Sequence, residues 1–230
     1  MDERVIAIDG PAGSGKSTAA RRLAEAIGFV HLNTGAMYRA VTHLALESGI
    51  DLNDEERVSD VADAMKFDYK IIEGAQHFIV NKNDLTHELF TASLTKELKP
   101  VVNNPAVRGV LVKKMRDAVH HLVKDGIKGV VMEGRDIGTV VFPDSKLKFY
   151  IHADLDTRTK RRAAELAARG EKFDMEGLKR QIKYRDETDE QREIGALKQA
   201  HDAIDIDTSQ LDEAATLNML LEEVRKKGLA

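Results

Sequence analysis

A short apolar strand pattern, Val5-Ile6-Ala7-Ile8, runs into Gly10, Pro11, Ala12, Gly13, Ser14, Gly15, Lys16 and Ser17, with Thr18 opening a helical stretch. The run matches G-x-x-x-x-G-K-[ST] without a mismatch, and no other stretch restricts the fold as much. Such a loop works only where a strand ends and a helix begins. Its glycines let backbone N–H groups converge on phosphate oxygens, and the helix N-terminus adds positive potential. Lys16 can then reach the β- and γ-phosphates, and the Ser17 hydroxyl can ligate Mg²⁺. A glycine-rich turn with no ligand is the alternative, and the intact strand–loop–helix order speaks against it. The residues from Gly10 to Thr18 are therefore expected to bind a nucleoside triphosphate with Mg²⁺.

At 230 residues the chain suits a single α/β domain, 1–230, with a well-buried core. A net charge of −4 argues against a general partner among nucleic-acid polymers or anionic membranes. Cysteine is absent, so disulfides and thiolate metal sites are excluded, which suits a reducing, cytoplasmic setting. Neither a signal-like apolar run near the start nor a membrane-spanning stretch is visible. No apolar heptad demands a partner helix, so a monomer is expected.

Five short apolar runs read as buried parallel strands: 4–9, 30–33, 129–132, 146–152 and 203–207. Helical patterns lie between them, so the expected fold is a parallel β-sheet flanked by helices. One helix is well marked. Asn104 can cap it, Pro105 suits its first turn, and Val107, Val110, Leu111, Val119, Leu122 and Val123 form its stripe before Asp125-Gly126 stops it. Phe67, Tyr69 and Ile71 instead alternate with polar residues, Glu73-Gly74 turns, and Phe78-Ile79-Val80 follows. That reads as a hairpin with one wet face, part of a small subdomain inserted at about 63–103.

Three clusters bear on where a phosphoryl group would go. Asn33-Thr34-Gly35-Ala36-Met37-Tyr38-Arg39 follows the second strand, where ligands bind in open α/β sheets. Thr34 and Tyr38 offer hydroxyls and Arg39 a fork suited to phosphate, although a capped helix with a solvated arginine would look the same. Glu133-Gly134-Arg135-Asp136-Ile137-Gly138-Thr139 follows another strand and presents one cation and one anion. Arg135 suits a phosphate, and Asp136 can accept from an exocyclic amine such as cytosine N4, unless the two simply pair. Last, Arg158, Arg161, Arg162 and Arg169 fall close to one helix face, as do Arg185, Asp189 and Arg192. Charge runs are usually solvated surface. Arginines that close over a phosphoryl-transfer transition state are nevertheless worth roughly 10³–10⁵ in rate.

No general base stands out among these residues. A phosphate monoester acceptor has its second pKa near 6 and needs none at neutral pH. Charge clamping and alignment then suffice, which favours a nucleoside monophosphate over a sugar hydroxyl. A further match, Asn81-Lys82-Asn83-Asp84, has the N-K-x-D form of a guanine-reading motif. It lies within the hairpin region with no D-x-x-G before it, so a polar turn explains it better than a nucleotide switch.

Taken together, these stretches resemble the bacterial cytidylate kinase family, whose members transfer the γ-phosphate of ATP to CMP or dCMP. The similarity covers nearly the whole chain and rests on IDGPAGSGKST, NTGAMYRA, PAVR, GRDIGTVVFP and RDETDEQR. It implies that Thr34, Tyr38, Arg39, Arg135 and Arg192 hold the CMP phosphate region. It implies also that Arg108 and Asp136 read the cytosine, and that Arg185 and Asp189 hold the ribose. Lys16 and the arginines of a lid at about 155–172, Arg158, Arg161 and Arg162, would stabilise transferred charge, and Asp9 would orient a Mg²⁺ water. The chain departs from the pattern in three places. Lys99 stands where a cytosine-contacting serine is expected, with Ser93 and Thr95 nearby. Glu133 replaces an aspartate, and Ala196-Leu197 replaces a proline–leucine pair. A P-loop kinase of another acceptor, such as UMP, is the nearest rival reading.

Overall fold

The computed structural model describes residues 4–72, 75–168 and 170–229. In chain order the elements are β1 (Val5–Asp9), α1 (Lys16–Ile27), β2 (Val30–Asn33), α2 (Thr34–Glu47), α3 (Glu55–Ala64), β3 (Phe67–Ile72), β4 (Ala75–Val80) and β5 (Asn83–Asp84). Then follow α4 (Ala92–Asn103), α5 (Pro105–Lys124), β6 (Val130–Gly134), β7 (Leu147–His152), α6 (Leu155–Ala168), α7 (Met175–Glu190), β8 (Ile204–Asp207) and α8 (Glu213–Lys226). They gather into two compact units, one reaching up to His31 and resuming at Leu122, the other Leu32–His121.

The first unit is built on a five-stranded sheet of order β2-β6-β1-β7-β8. β1 pairs in parallel with β6 and β7, and β7 pairs in parallel with β8. Every residue of β1 is buried, which is why its sequence is apolar without alternation. Ile6, Ile8, Val131, Phe149 and Ile151 pack against Ala20 and Leu23 of α1 and Leu220 and Val224 of α8. Each such fully buried side chain contributes roughly 1.5–3 kcal/mol. Because the paired strands run the same way, their carboxyl ends share one edge. Asp9, Gly134, His152 and Asp207 end their strands there, and the functional loops depart from it. α6 and α7 form a second small core from Ala163, Leu166, Leu178 and Ile182.

All five expected strands are present. β6 begins and ends later than its apolar run suggests, because Glu133 and Gly134 still pair with Ile8 and Asp9. Gly129 is excluded from it and instead lies under the Phe29 ring, where a β-carbon would sit 2.2 Å from a ring atom.

In the second unit, Asn33 caps α2 by accepting from Ala36 N–H, and Asn104 caps α5 by accepting from Ala106 and Val107. β3 and β4 pair antiparallel, with Phe67 opposite Val80 and Tyr69 opposite Phe78. Phe67, Tyr69 and Phe78 form one aromatic cluster, extended by Phe90 at 5.4 Å from Phe78. The Glu73-Gly74 turn lies outside the described residues. Asn81 and Lys82, with φ of 49° and 75°, make the two-residue turn from β4 into β5. The N-K-x-D match is thus a hairpin turn whose Asn81 accepts from the Lys66 N–H, and no guanine reader. The segment 63–103 lies inside this unit. Among the described residues, no helix is long and apolar enough to cross a membrane.

Candidate active site

The loop from β1 to α1 leaves the sheet at Gly10, where φ is +154° and a β-carbon would lie 1.9 Å from the Ile151 carbonyl oxygen. No other residue fits. At Gly13, φ is +74° and a β-carbon would press on Arg158 at 3.3 Å. α1 begins after Gly15 with no side chain capping it, so its leading N–H groups are left for another acceptor. Among the described residues, buried Ser14 Oγ has no hydrogen-bond partner. Lys16 is buried and donates to the Pro11 carbonyl at 2.9 Å. Burial first, then the charges of Arg135 and Arg185, lower its pKa to about 7. An anion brought against it favours the charged form, so an uncapped turn, a buried hydroxyl and a lysine of lowered pKa all fit a phosphate chain.

Ser17 Oγ donates to Glu133 Oε2 at 2.6 Å, and His31 Nε2 lies 3.3 Å from Glu133 Oε1. Burial favours the neutral acid at Glu133. His31, Lys16 and the Ser17 hydrogen bond nevertheless hold its carboxyl below the usual range. A hydroxyl and an ionised carboxylate at the mouth of a phosphate loop are the hard oxygen donors that Mg²⁺ takes. Asp9, read from sequence as the acid near the metal, is turned elsewhere. Its two oxygens accept from the N–H groups of Ile137 and Gly138 at 2.9 and 2.8 Å. Burial raises its pKa to about 7 despite those bonds. Sequence reasoning passed over Glu133 as a metal-side acid. The signal was an acid ending a buried strand two residues before an arginine.

Beyond β6, Arg135 Nε donates to Asp189 Oδ2 at 2.9 Å, so Arg135 pairs with α7 and not with its neighbour Asp136. Arg192 closes on Asp189 Oδ1 and on the Gly195 carbonyl. α7 ends at Glu190, so Arg192 does not share a helical face with Arg185 and Asp189 as its spacing suggested; it folds back from beyond the helix. Burial opposes charge on Asp189, but Arg135, Arg185 and Arg192 hold its pKa below the ordinary value. Arg185 has no hydrogen bond among the described residues. Burial and then the charge of Arg135 lower its pKa to about 10. Asp136 is buried at 6% exposure.

The three arginines of α6 divide. Arg158 is buried and donates to the Ala12 and Ala153 carbonyls and to Asp186. Arg161 donates to the Ser14 carbonyl and to Thr208 Oγ1 and the Thr208 carbonyl. Both therefore brace the phosphate loop from behind. Arg162 pairs instead with Glu165, one turn along the helix. Arg169 lies outside the described residues. Thr208 and Asp186 were not singled out from sequence, because each acts through a partner distant in the chain.

In the second unit, Thr34 and Tyr38 are buried in the first turns of α2. Arg39 donates to the Leu89 carbonyl and to Thr95 Oγ1, and its guanidinium lies 5.2 Å from the Phe90 ring centroid. Arg108 lies over the Tyr38 ring at 5.5 Å and donates to the Val102 carbonyl. The Thr95 hydroxyl is thus engaged with Arg39, while Lys99 is exposed.

The family model for cytidylate kinase matches residues 6–226. The chain is 40% identical over 231 residues to a cytidylate kinase of Anoxybacillus flavithermus, covering 99% of this chain and 100% of that protein. To a cytidylate kinase of Caldanaerobacter subterraneus subsp. tengcongensis it is 42% identical over 221 residues, covering 96% and 94%. An uncharacterized protein from Eubacterium ventriosum shares the fold, with a TM-score of 0.51 at 14% identity over 96% of this chain and 98% of that one. The family match runs from the first core strand to the end of the last helix, across both units. The chain belongs to the cytidylate kinase family and is a nucleoside monophosphate kinase.

Proposed function

We propose that the chain transfers the γ-phosphate of ATP directly, in line, to CMP and dCMP. One observation carries the reading: the Lys16 ammonium of the phosphate loop feels the charges of Arg135, Arg185 and Asp189, the residues we assign to the acceptor. The family match supports the acceptor class. Mg²⁺, held through Ser17 and Glu133, supplies neutralising charge when bound. Lys16 holds the transferring phosphoryl oxygens, and Arg158 and Arg161 keep the loop in shape while Arg162 adds charge from the proposed lid at 155–172. Arg135 and Arg192 hold the acceptor phosphate, whose oxygen is already an anion near pH 7 and needs no base.

Asp136 supplies the acceptor oxygen for cytosine N4; a uracil carbonyl there would be repelled. Arg185 and Asp189 serve the ribose. On the second unit, whose 63–103 segment we propose as the monophosphate-binding insert, Thr34, Tyr38 and Arg39 serve the acceptor phosphate and Arg108 the base. Coupled ADP release with ATP–Mg²⁺ over CMP, dCMP, UMP, AMP, GMP and shikimate tests this. Turnover confined to CMP and dCMP is expected. UMP turning over as well as CMP would overturn the base assignment, and silence with every acceptor would overturn the whole.

A further inference from the structure

We infer that Asp9 is a positioning residue for the acceptor, acting through the backbone of the β6 loop; this rests on the roles just proposed for Arg135 and Asp136. The loop after Asp136 makes a single wide helical turn over Ile137–Val141, with the Asp136 carbonyl accepting from the Val140 and Val141 N–H groups. Asp136 stands at the position from which an aspartate ordinarily caps its own turn. Its side chain makes no such cap. The Ile137 and Gly138 N–H groups are capped instead by Asp9, from 128 and 129 residues away, at 2.9 and 2.8 Å. The buried carboxylate at the end of β1 thereby relieves Asp136 of capping and fixes the direction in which Arg135 and Asp136 leave the sheet.

Two further features make this anchor tight. A β-carbon on Gly138 would lie 3.0 Å from Lys148 Cδ and 3.5 Å from Asp9 Oδ2, so the loop is pressed onto β1 and β7 with no room to spare. Lys148, buried at 4%, is itself held by the Pro143 carbonyl and by both oxygens of Asp202. The residue after Asp9 is Gly10, the first of the phosphate loop. One strand end therefore sets both the donor loop, through the chain, and the acceptor loop, through two hydrogen bonds.

The test is Asp9→Asn, which keeps the shape but turns an NH₂ toward one of the two N–H donors. Steady-state kinetics should show the KM for CMP raised about tenfold, as expected for one charge-assisted hydrogen bond lost, with the KM for ATP moved far less. Amide hydrogen exchange of the 136–141 segment should quicken. Gly138→Ala, which displaces the same N–H groups by crowding Lys148, should give the same split and decides the matter where Asp9→Asn does not fold. Arg135→Ala is the control for the underlying reading. An unchanged KM for CMP in Arg135→Ala removes that reading and the inference with it. A raised KM there, beside an unchanged or equally shared change in the Asp9 and Gly138 variants, overturns the inference alone.

Discussion

Arg135 and Asp189, 54 residues apart in sequence, meet at 2.9 Å, and Arg192 takes the other oxygen of the same carboxylate. One acid therefore fixes two of the cations proposed to hold the acceptor. Asp189→Asn should raise the KM for CMP by about ten- to a hundredfold, since leaving buried charges unpaired is costly, while ATP binding changes little. Isothermal titration with each nucleotide separates the two, and equal losses would assign Asp189 to the fold.

The Ser17–Glu133 hydrogen bond predicts a metal phenotype. Glu133→Gln keeps the contact but removes the charge, and the Mg²⁺ concentration for half-maximal rate should rise about ten- to a hundredfold. Nucleotide binding measured without Mg²⁺ should stay near wild type. A matching loss in the metal-free experiment would sink the assignment.

Arg158 and Arg162 should separate stability from rate. Removing Asp186 leaves the buried Arg158 uncompensated and should cost about 3–5 kcal/mol in chemical denaturation. Arg162→Ala breaks only the partly exposed pair with Glu165, worth about 0–1 kcal/mol, and should lower kcat at nearly unchanged stability. An Arg162 variant with full kcat would remove it from the chemistry.

Asp136→Asn should blunt discrimination between CMP and UMP, because an amide can donate to the uracil carbonyl that a carboxylate repels. An unaltered ratio of kcat/KM values would take Asp136 out of base reading.

Burial raises the pKa of Asp9 from its ordinary 3.8 to about 7 in the folded chain, with Asp136 adding to the rise and Arg135 opposing it. Between those values the native state holds a proton that the unfolded chain has released, so this group's contribution to stability falls as pH rises. Wild type should accordingly be more stable relative to Asp9→Asn at pH 5 than at pH 8. Denaturation midpoints of both proteins across that range check it, and a flat difference contradicts it.

The sheet was legible because β1, β6 and β7 are buried on both faces and their apolar runs have no other use. The phosphate loop was legible because the strand, the glycines and the helix that build it are contiguous in the chain. What sequence left out is held together by distance. Ser17 finds Glu133 116 residues away, and Arg161 finds Thr208 47 residues away. Asp9 looked like a metal-side acid because its position in the chain says nothing of the loop that comes to rest on it. Arg192 looked helical because a periodic charge pattern does not show that α7 ends at Glu190.

Gly10 carries a lesson for genetics. Any side chain there would collide with the Ile151 backbone of the neighbouring strand β7. An allele altered at Gly10 would thus lose the protein itself as well as its chemistry, and a null phenotype from it would not show that the cell needs the phosphotransfer. Lys16, whose side chain makes its one hydrogen bond among the described residues to the Pro11 carbonyl of its own loop, is the position at which substitution is expected to give an inactive but intact protein.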